Sequence, residues 1–341
     1  MFSDKSLNET FIKKILNEIK IVADNNQVSF SLYKHELTSY RLPFCFRLSI
    51  KLNGYNLSSW GSGVTEDEAS YKALAELIER IIVRNSSPYT FKKYKVFAKN
   101  ESIAQIRKNH PEAENWIGTT TSGSAIHKNE KNAKEAALNE LIERHIILKA
   151  LAEEIPPQEV IAPMLTKNYK LPQKVNYFAW HGPLDRKVVV QQIASKTGYM
   201  YSFGCSVDLE IAKEKAFLEG VGMMIFLNNS RKDYYLNEDS SKVDMGEIQR
   251  FHILNKDTEA SEIFNRNVDF IVKVDPDISQ DAFYFAKYIV PSTFKSIRPL
   301  VAYRCISPLL QPLFFDHWSD RVVNPLAIST NNFPKELHIV S

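Results

Sequence analysis

An eight-residue segment occurs twice in this chain. Ala73-Leu-Ala-Glu-Leu-Ile-Glu-Arg80 returns 64 positions later as Ala137-Leu-Asn-Glu-Leu-Ile-Glu-Arg144, with Ala75 against Asn139 as the one difference. Self-similarity inside a single chain signals a structural unit used more than once. A shorter third copy reads Ala216-Phe-Leu-Glu219. Small residues lead into each copy: Gly61-Ser-Gly-Val64, Ser122-Gly-Ser-Ala125 and Gly204-Cys-Ser-Val207. An alanine stands four residues ahead of each: Ala69, Ala133 and Ala212. The expected unit is a small-residue turn feeding a helix, used three times.

On a helix, positions i and i+3 share a face. Glu76 and Glu79 therefore point together, and so do Glu140 and Glu143. If the duplicated units pack against each other, four carboxylates converge and require cations or raised pKa values. Carboxylate-rich sites suit hard Mg2+, which keeps phosphate oxygens among its ligands. Turns of Ser, Gly and Thr at helix N-termini are natural phosphate cradles. A plainer reading stands beside this one: Glu76–Arg80 and Glu140–Arg144 as surface ion pairs one turn apart, each worth about 0.3–0.5 kcal/mol. Near-identical duplication weighs against it, because solvated faces have no reason to repeat their order.

Composition closes off other classes. The 341 residues are 44% hydrophobic and 24% charged, with a net charge of +3. That balance is too mild, and too free of clustered Lys/Arg, to argue for nucleic acid. Cys45, Cys205 and Cys305 are far apart and form no CxxC pair, which predicts reduced thiols and not a zinc site. The N-terminus lacks a signal-peptide pattern and no apolar run reaches the ~20 residues of a membrane helix, so a cytoplasmic protein is expected. Neither GxxxxGK[ST] nor GxGxxG is present. His145 is expected to orient or pack, and Cys205 to be a small structural residue.

In chain order, an apolar stripe at helical period predicts an N-terminal helix within 1–27, packed on its own domain or docking a partner. Alternation predicts strands at 28–35, 44–52 and 55–60. Thr65-x-x-Glu68 opens a helix as a capping box. A short helix is expected at 101–110, and a longer one after 128–132 running to about 153. Strands follow at 175–181 and 187–194, then a third turn and helix at 203–227. Residues 228–247 read as a surface loop, and 268–274, 285–290 and 299–306 as strands. The expectation is α+β: mixed sheets flanked by helices, in one large domain over 28–341.

The paired ExxER helices, the Ala-Phe-Leu-Glu helix and Arg304-Cys-Ile-Ser-Pro-Leu-Leu-Gln-Pro-Leu-Phe resemble the YcaO family over roughly residues 30–325. That resemblance implies ATP and Mg2+ as cofactors. It implies an enzyme that phosphorylates a peptide backbone amide oxygen after a nucleophile has attacked the carbonyl. By the same resemblance Glu76, Glu79, Glu140 and Glu143 hold metal. Arg144 and Glu219 serve catalysis, and Lys72, Ser122, Asn132, Arg144 and Lys215 line the nucleotide. Several positions differ from the family pattern. Lys72 stands where Ser-Ala-x-x-Glu is usual, Ser122-Gly123 where Asn-Gly is, Asn132 where a Glu opens the second helix, and His145 where an Asp follows. Lys215 and Gly222 replace an Arg and a Gln. The leading expectation is azoline-forming cyclodehydration of a ribosomally made precursor peptide. The alternatives are a thioamide- or amidine-forming relative and a non-catalytic peptide-holding scaffold. A leader-peptide-binding, E1-like partner and a homodimer are implied as partners.

Overall fold

The computed structural model describes residues 17, 19, 28–33, 41–52, 55–85, 95–96, 122–194, 199–228, 258–266, 268–288, 300–310 and 327. The expected helix at 101–110, most of 1–27, the loop beyond 228 and the tail from 331 lie outside them. The chain divides into two compact units, 1–141 with 283–308, and 142–282 with 309–341.

The first unit opens with an antiparallel meander of β1 (Val28–Tyr33), β2 (Phe44–Leu52) and β3 (Tyr55–Gly63). Helix α1 (Glu66–Asn85) follows and packs on β3 and β2. Its start is the predicted capping box: Glu68 N–H donates to Thr65 Oγ1 at 3.2 Å, and Glu68 Oε2 accepts from Val64 N–H at 3.0 Å. The apolar stripe of Leu74, Leu77, Ile78 and Ile81 is fully buried against Leu48, Ile50 and Leu57. Burying one such side chain contributes about 1.5–3 kcal/mol. Ile19, from the N-terminal stripe, is buried in the same cluster, so that stripe packs on its own unit there.

A second antiparallel sheet takes the order β4 (Lys95–Val96), β10 (Tyr284–Lys287), β11 (Val301–Ile306), β5 (Ser124–His127). Ile126 and Ala302 belong to the α1 cluster, so α1 covers one face of this sheet. After β5, helix α2 (Glu130–Ala152) is capped by Asn129, whose Oδ1 accepts from Asn132 N–H at 2.8 Å. Glu154 ends it at φ 53, with Ile155 N–H donating back to Ala150 O ahead of Pro156.

The second unit repeats the meander-then-helix order. Strands β6 (Gln158–Val160), β7 (Val175–His181), β8 (Lys187–Ala194) and β9 (Tyr199–Ser206) pair antiparallel in sequence. Helix α3 (Leu209–Asn228) packs on β9 and β8, capped by Asp208 Oδ1. Phe264 of α4 (Thr258–Asn265) packs against Phe178, Trp180 and Tyr201 at ring distances of 5.0, 5.8 and 5.1 Å.

Two expectations need correcting. Gly61-Ser-Gly63 and Gly204-Cys-Ser206 are the ends of edge strands, not turns. A Cβ on Gly61 would lie 2.1 Å from Ala69 O, and one on Gly204 2.2 Å from Ala212 O. These glycines, with the alanines that follow, let helix backbone lie directly on strand backbone. Residues 268–274 form no strand; they make two isolated parallel bridges, at Val268 and Lys273.

Candidate functional site

The first and third copies build one device. β3 and β9 are edge strands of their sheets, and an uncovered edge leaves backbone groups unpaired. Trp60 N–H donates to Glu76 Oε2 at 2.9 Å, and Phe203 N–H to Glu219 Oε2 at 3.2 Å, 16 residues apart in both cases. Lys72 Nζ donates to Ser62 O at 3.1 Å and Lys215 Nζ to Cys205 O at 2.8 Å, 10 residues apart in both. Ser59 Oγ donates to Ala73 O at 2.6 Å, and Ser202 Oγ lies 2.8 Å from Ala216 O, 14 residues apart in both. Each helix thus closes the edge in front of it with a carboxylate, an ammonium and a hydroxyl contact. Lys72 and Lys215, expected from sequence to line the nucleotide, each make this backbone contact. Glu76 also pairs with Arg80, which is the plain reading of the first ExxER made real.

The second copy is different. Gly123 turns with φ 76, and a Cβ there would meet Cys305 O at 2.5 Å and Leu141 Cβ at 3.3 Å. Ser122 is buried beside it, and Cys305 N–H donates to Gly123 O at 2.7 Å. Asn132 is exposed on the first turn of α2. Glu140 is half-buried, whereas Glu143 is only 8% exposed. The local pairing of the first motif is not repeated at Arg144: this half-buried guanidinium has no ion-pair partner among the described residues. The next residue, His145, is fully buried, its Nε2 2.8 Å from Asp275 Oδ2, and one turn on Lys149 Nζ donates to Asp275 Oδ1 at 2.9 Å and to Ala327 O at 2.9 Å.

Burial holds the His145 imidazole below its ordinary pKa against the pull of Asp275. Burial alone would raise Asp275, but hydrogen bonds from His145 and Lys149 outweigh it and hold the carboxyl low. His145 is thus a packed, orienting residue, as its sequence position suggested. Its partners were not legible, because Asp275 lies 130 residues away. Burial pushes the Cys45 thiol up to about 11, and all three cysteines are buried and free.

Among the described residues no three His, Cys, Asp or Glu side chains form a ready cation cage. Mg2+ does not need one. It is commonly held by one or two carboxylates, with waters and phosphate oxygens completing the shell. Glu140 and the largely buried Glu143, one helical turn apart and followed by Arg144, are oxygen donors of that kind. The residues fit Mg2+ with a phosphate-bearing ligand.

The family model that matches residues 100–286 is described as YcaO cyclodehydratase, ATP- and Mg2+-binding. The stretch contains α2 with the second ExxER and α3 with Glu219, but not the first ExxER. No curated protein matches the chain. Among solved structures, YcaO from Methanopyrus kandleri bound with AMPPCP and Mg2+ is 13% identical with a TM-score of 0.55, over 90% of this chain and 91% of that one. The E. coli microcin synthetase McbBCD complex includes a chain 14% identical with a TM-score of 0.58, over 90% and 94%. A heterocyclase in complex with substrate and cofactor is 12% identical with a TM-score of 0.58, over 94% of this chain and 54% of its own. At these identities the likeness is one of fold.

Proposed function

The chain belongs to the YcaO family, and on that premise we propose that it is an ATP- and Mg2+-dependent enzyme activating a peptide backbone amide. The product we favour is an azoline in a ribosomally made peptide. A side-chain nucleophile of the peptide loses its proton and attacks the preceding carbonyl, the resulting oxyanion takes the γ-phosphoryl group of ATP with ADP departing, and loss of the amide N–H proton expels the oxygen as phosphate to leave the C=N bond. The observation that carries this reading is the family match across α2, where Glu140, Glu143 and Arg144 stand together in sequence.

Bound Mg2+ would neutralise charge on the phosphates; the chain's part is positioning and electrostatics. Glu79, Glu140 and Glu143 are assigned to the cation, with Glu76 contributing if its pairing with Arg80 opens. Arg144, able to form two parallel hydrogen bonds, is assigned to the transferring phosphoryl group. Ser122 and Asn132 are assigned to the nucleotide. Glu219 is assigned to fixing β9 and α3, in keeping with its hydrogen bond to Phe203 N–H. A precursor peptide is the substrate in this reading, delivered by a leader-binding partner in the cytoplasm. No described helix is long and apolar enough to cross a membrane.

The test is peptide-dependent ADP release by the purified chain with its precursor and partner. Glu140→Gln with Glu143→Gln should lower it at least about 100-fold, the size of effect expected when charge stabilisation of a transition state is removed. Unchanged release would end the proposal. A second reading, a scaffold that holds peptide without turnover, draws support from the structural use of Lys72 and Lys215. Mg2+-dependent ATP binding without any peptide modification would favour it.

A further inference from the structure

We infer that Arg304 is an anion-binding residue that takes a phosphate of the nucleotide, an assignment that rests on the proposed activity. Arg304 lies on β11, only 4% exposed. Its Nε is buried without a hydrogen-bond partner, and no carboxylate among the described residues pairs with its guanidinium. An arginine cannot shed its charge as a buried lysine can. A largely buried guanidinium with an unsatisfied Nε and no counter-charge among the described residues is unfavourable, and a ligand anion would relieve that cost. Lys72 and Lys134 of the same unit are employed. Lys72 closes the β3 edge and Lys134 pairs with Glu130. Lys134 and Lys287 also lean over the Tyr303 ring on the opposite face of the strand, at 5.0 and 5.8 Å.

The surroundings favour an oxyanion. Directly opposite Arg304 across the sheet stands Ser124 of β5, and on the other side Ala286 of β10. Cross-strand partners share a face. That face is the one covered by α1, since Ile126 and Ala302, the next pair along, pack with Leu74, Leu77 and Ile78. Ser124 Oγ is 2.8 Å from Tyr288 Oη, so two buried hydroxyls, one on β5 and one just past the end of β10, lie on the segments flanking β11. Ser124 continues the turn of Ser122 and Gly123, where an added Cβ on Gly123 would lie 3.3 Å from Leu141 Cβ. A phosphate oxygen pair matches the planar fork of Arg304 and the hydroxyl donor beside it. In the proposed activity the terminal phosphates of the nucleotide would be the source of that chemistry.

The experiment uses the full chain and two variants, Arg304→Met and Arg304→Lys. Magnesium pyrophosphate, MgATP and adenosine are titrated by calorimetry, alongside thermal unfolding. The wild type should bind pyrophosphate and MgATP about 10- to 100-fold more tightly than Arg304→Met, the range for hydrogen bonds to a charged group. Adenosine affinity should not change. Without ligand, Arg304→Met should melt at the wild-type temperature or above it, because an unpaired buried charge has been replaced by an apolar chain of similar length. A merely structural arginine predicts a lower melting temperature. Arg304→Lys keeps the charge, loses the fork and should fall between; it carries the binding test if the methionine variant does not fold. Equal MgATP affinity in the wild type and both variants would overturn the inference while leaving the proposed activity intact. Binding of pyrophosphate but not MgATP, lost in Arg304→Met, would end the nucleotide reading and keep Arg304 as a phosphate site. A wild type that responds to neither overturns it.

Discussion

Glu76 shows how one side chain can satisfy two readings of the same motif. Its Oε2 accepts from Trp60 N–H and its Oε1 from Arg80, so it is both a strand cap and half of an ion pair. The two contributions differ in size. A buried N–H left without an acceptor costs about 1–3 kcal/mol, whereas an exposed helical pair contributes about 0.3–0.5 kcal/mol. Glu76→Ala should therefore destabilise by roughly 1–3 kcal/mol in urea denaturation, while Glu76→Gln, which keeps an acceptor oxygen, should lose less than about 1 kcal/mol. Equal losses would mean that the ion pair, not the cap, carries the stabilisation. His127 makes a second case. Burial and Lys128 hold its imidazole below the usual 6.5, and its Nδ1 is buried without a partner. A depressed histidine binds its proton in the unfolded chain first. Its share of stability is full above 6.5 and is lost as pH falls below that value. The unfolding midpoint should drop between pH 7 and pH 5, and His127→Gln should show a smaller drop. An unchanged drop would mean that His181, also held low, or another group sets the slope.

At the scale of elements, the controlling feature is how closely a helix can lie on the strand before it. Gly61 against Ala69 and Ala73, and Gly204 against Ala212 and Ala216, leave no room for a Cβ. Gly61→Ala and Gly204→Ala should each cost at least about 1–3 kcal/mol, the range for overpacking, with more where backbone must move. Thermal unfolding followed by circular dichroism checks it; a melting temperature within a degree of wild type would refute the close-packing account. The duplicated small residues were visible in the sequence, but their purpose was not. Glycine in a sequence reads most readily as a turn, because freedom at φ is its commonest use. Here only Gly123, among the glycines of the three lead-in segments, has positive φ. Strands β2, β7 and β8 were legible to the residue because one or both faces are packed and their apolar pattern is strong. β9 was not, since Tyr199–Ser206 holds the small residues that suggested a turn.

For the whole molecule, ligand linkage is the simplest global readout of the proposed activity. A ligand that binds only the folded chain at 100 times its Kd stabilises it by about 2.7 kcal/mol. Saturating MgATP should therefore raise the melting temperature by a few degrees, ATP without Mg2+ should raise it less, and Glu140→Gln with Glu143→Gln should abolish the difference. A shift that is the same with and without Mg2+ would remove the cation from the site. The sequence by itself determined a part of the elements: the helical stripe of α1, the start of that helix at Thr65–Glu68, the alternation of β2, β7 and β8, and the kinship carried by the two ExxER motifs. Those signals are local, because periodicity, capping and short motifs act within a few residues of chain. The tertiary structure alone decided what the motif residues do. It put Glu76 and Glu219 on the edges of β3 and β9, tied Lys72 and Lys215 to backbone carbonyls, joined His145 to Asp275, and gave Arg144 and Arg304 no counter-charge among the described residues. The physical reason is that a charged side chain is defined by its partner, and these partners arrive from 10 to 130 residues away.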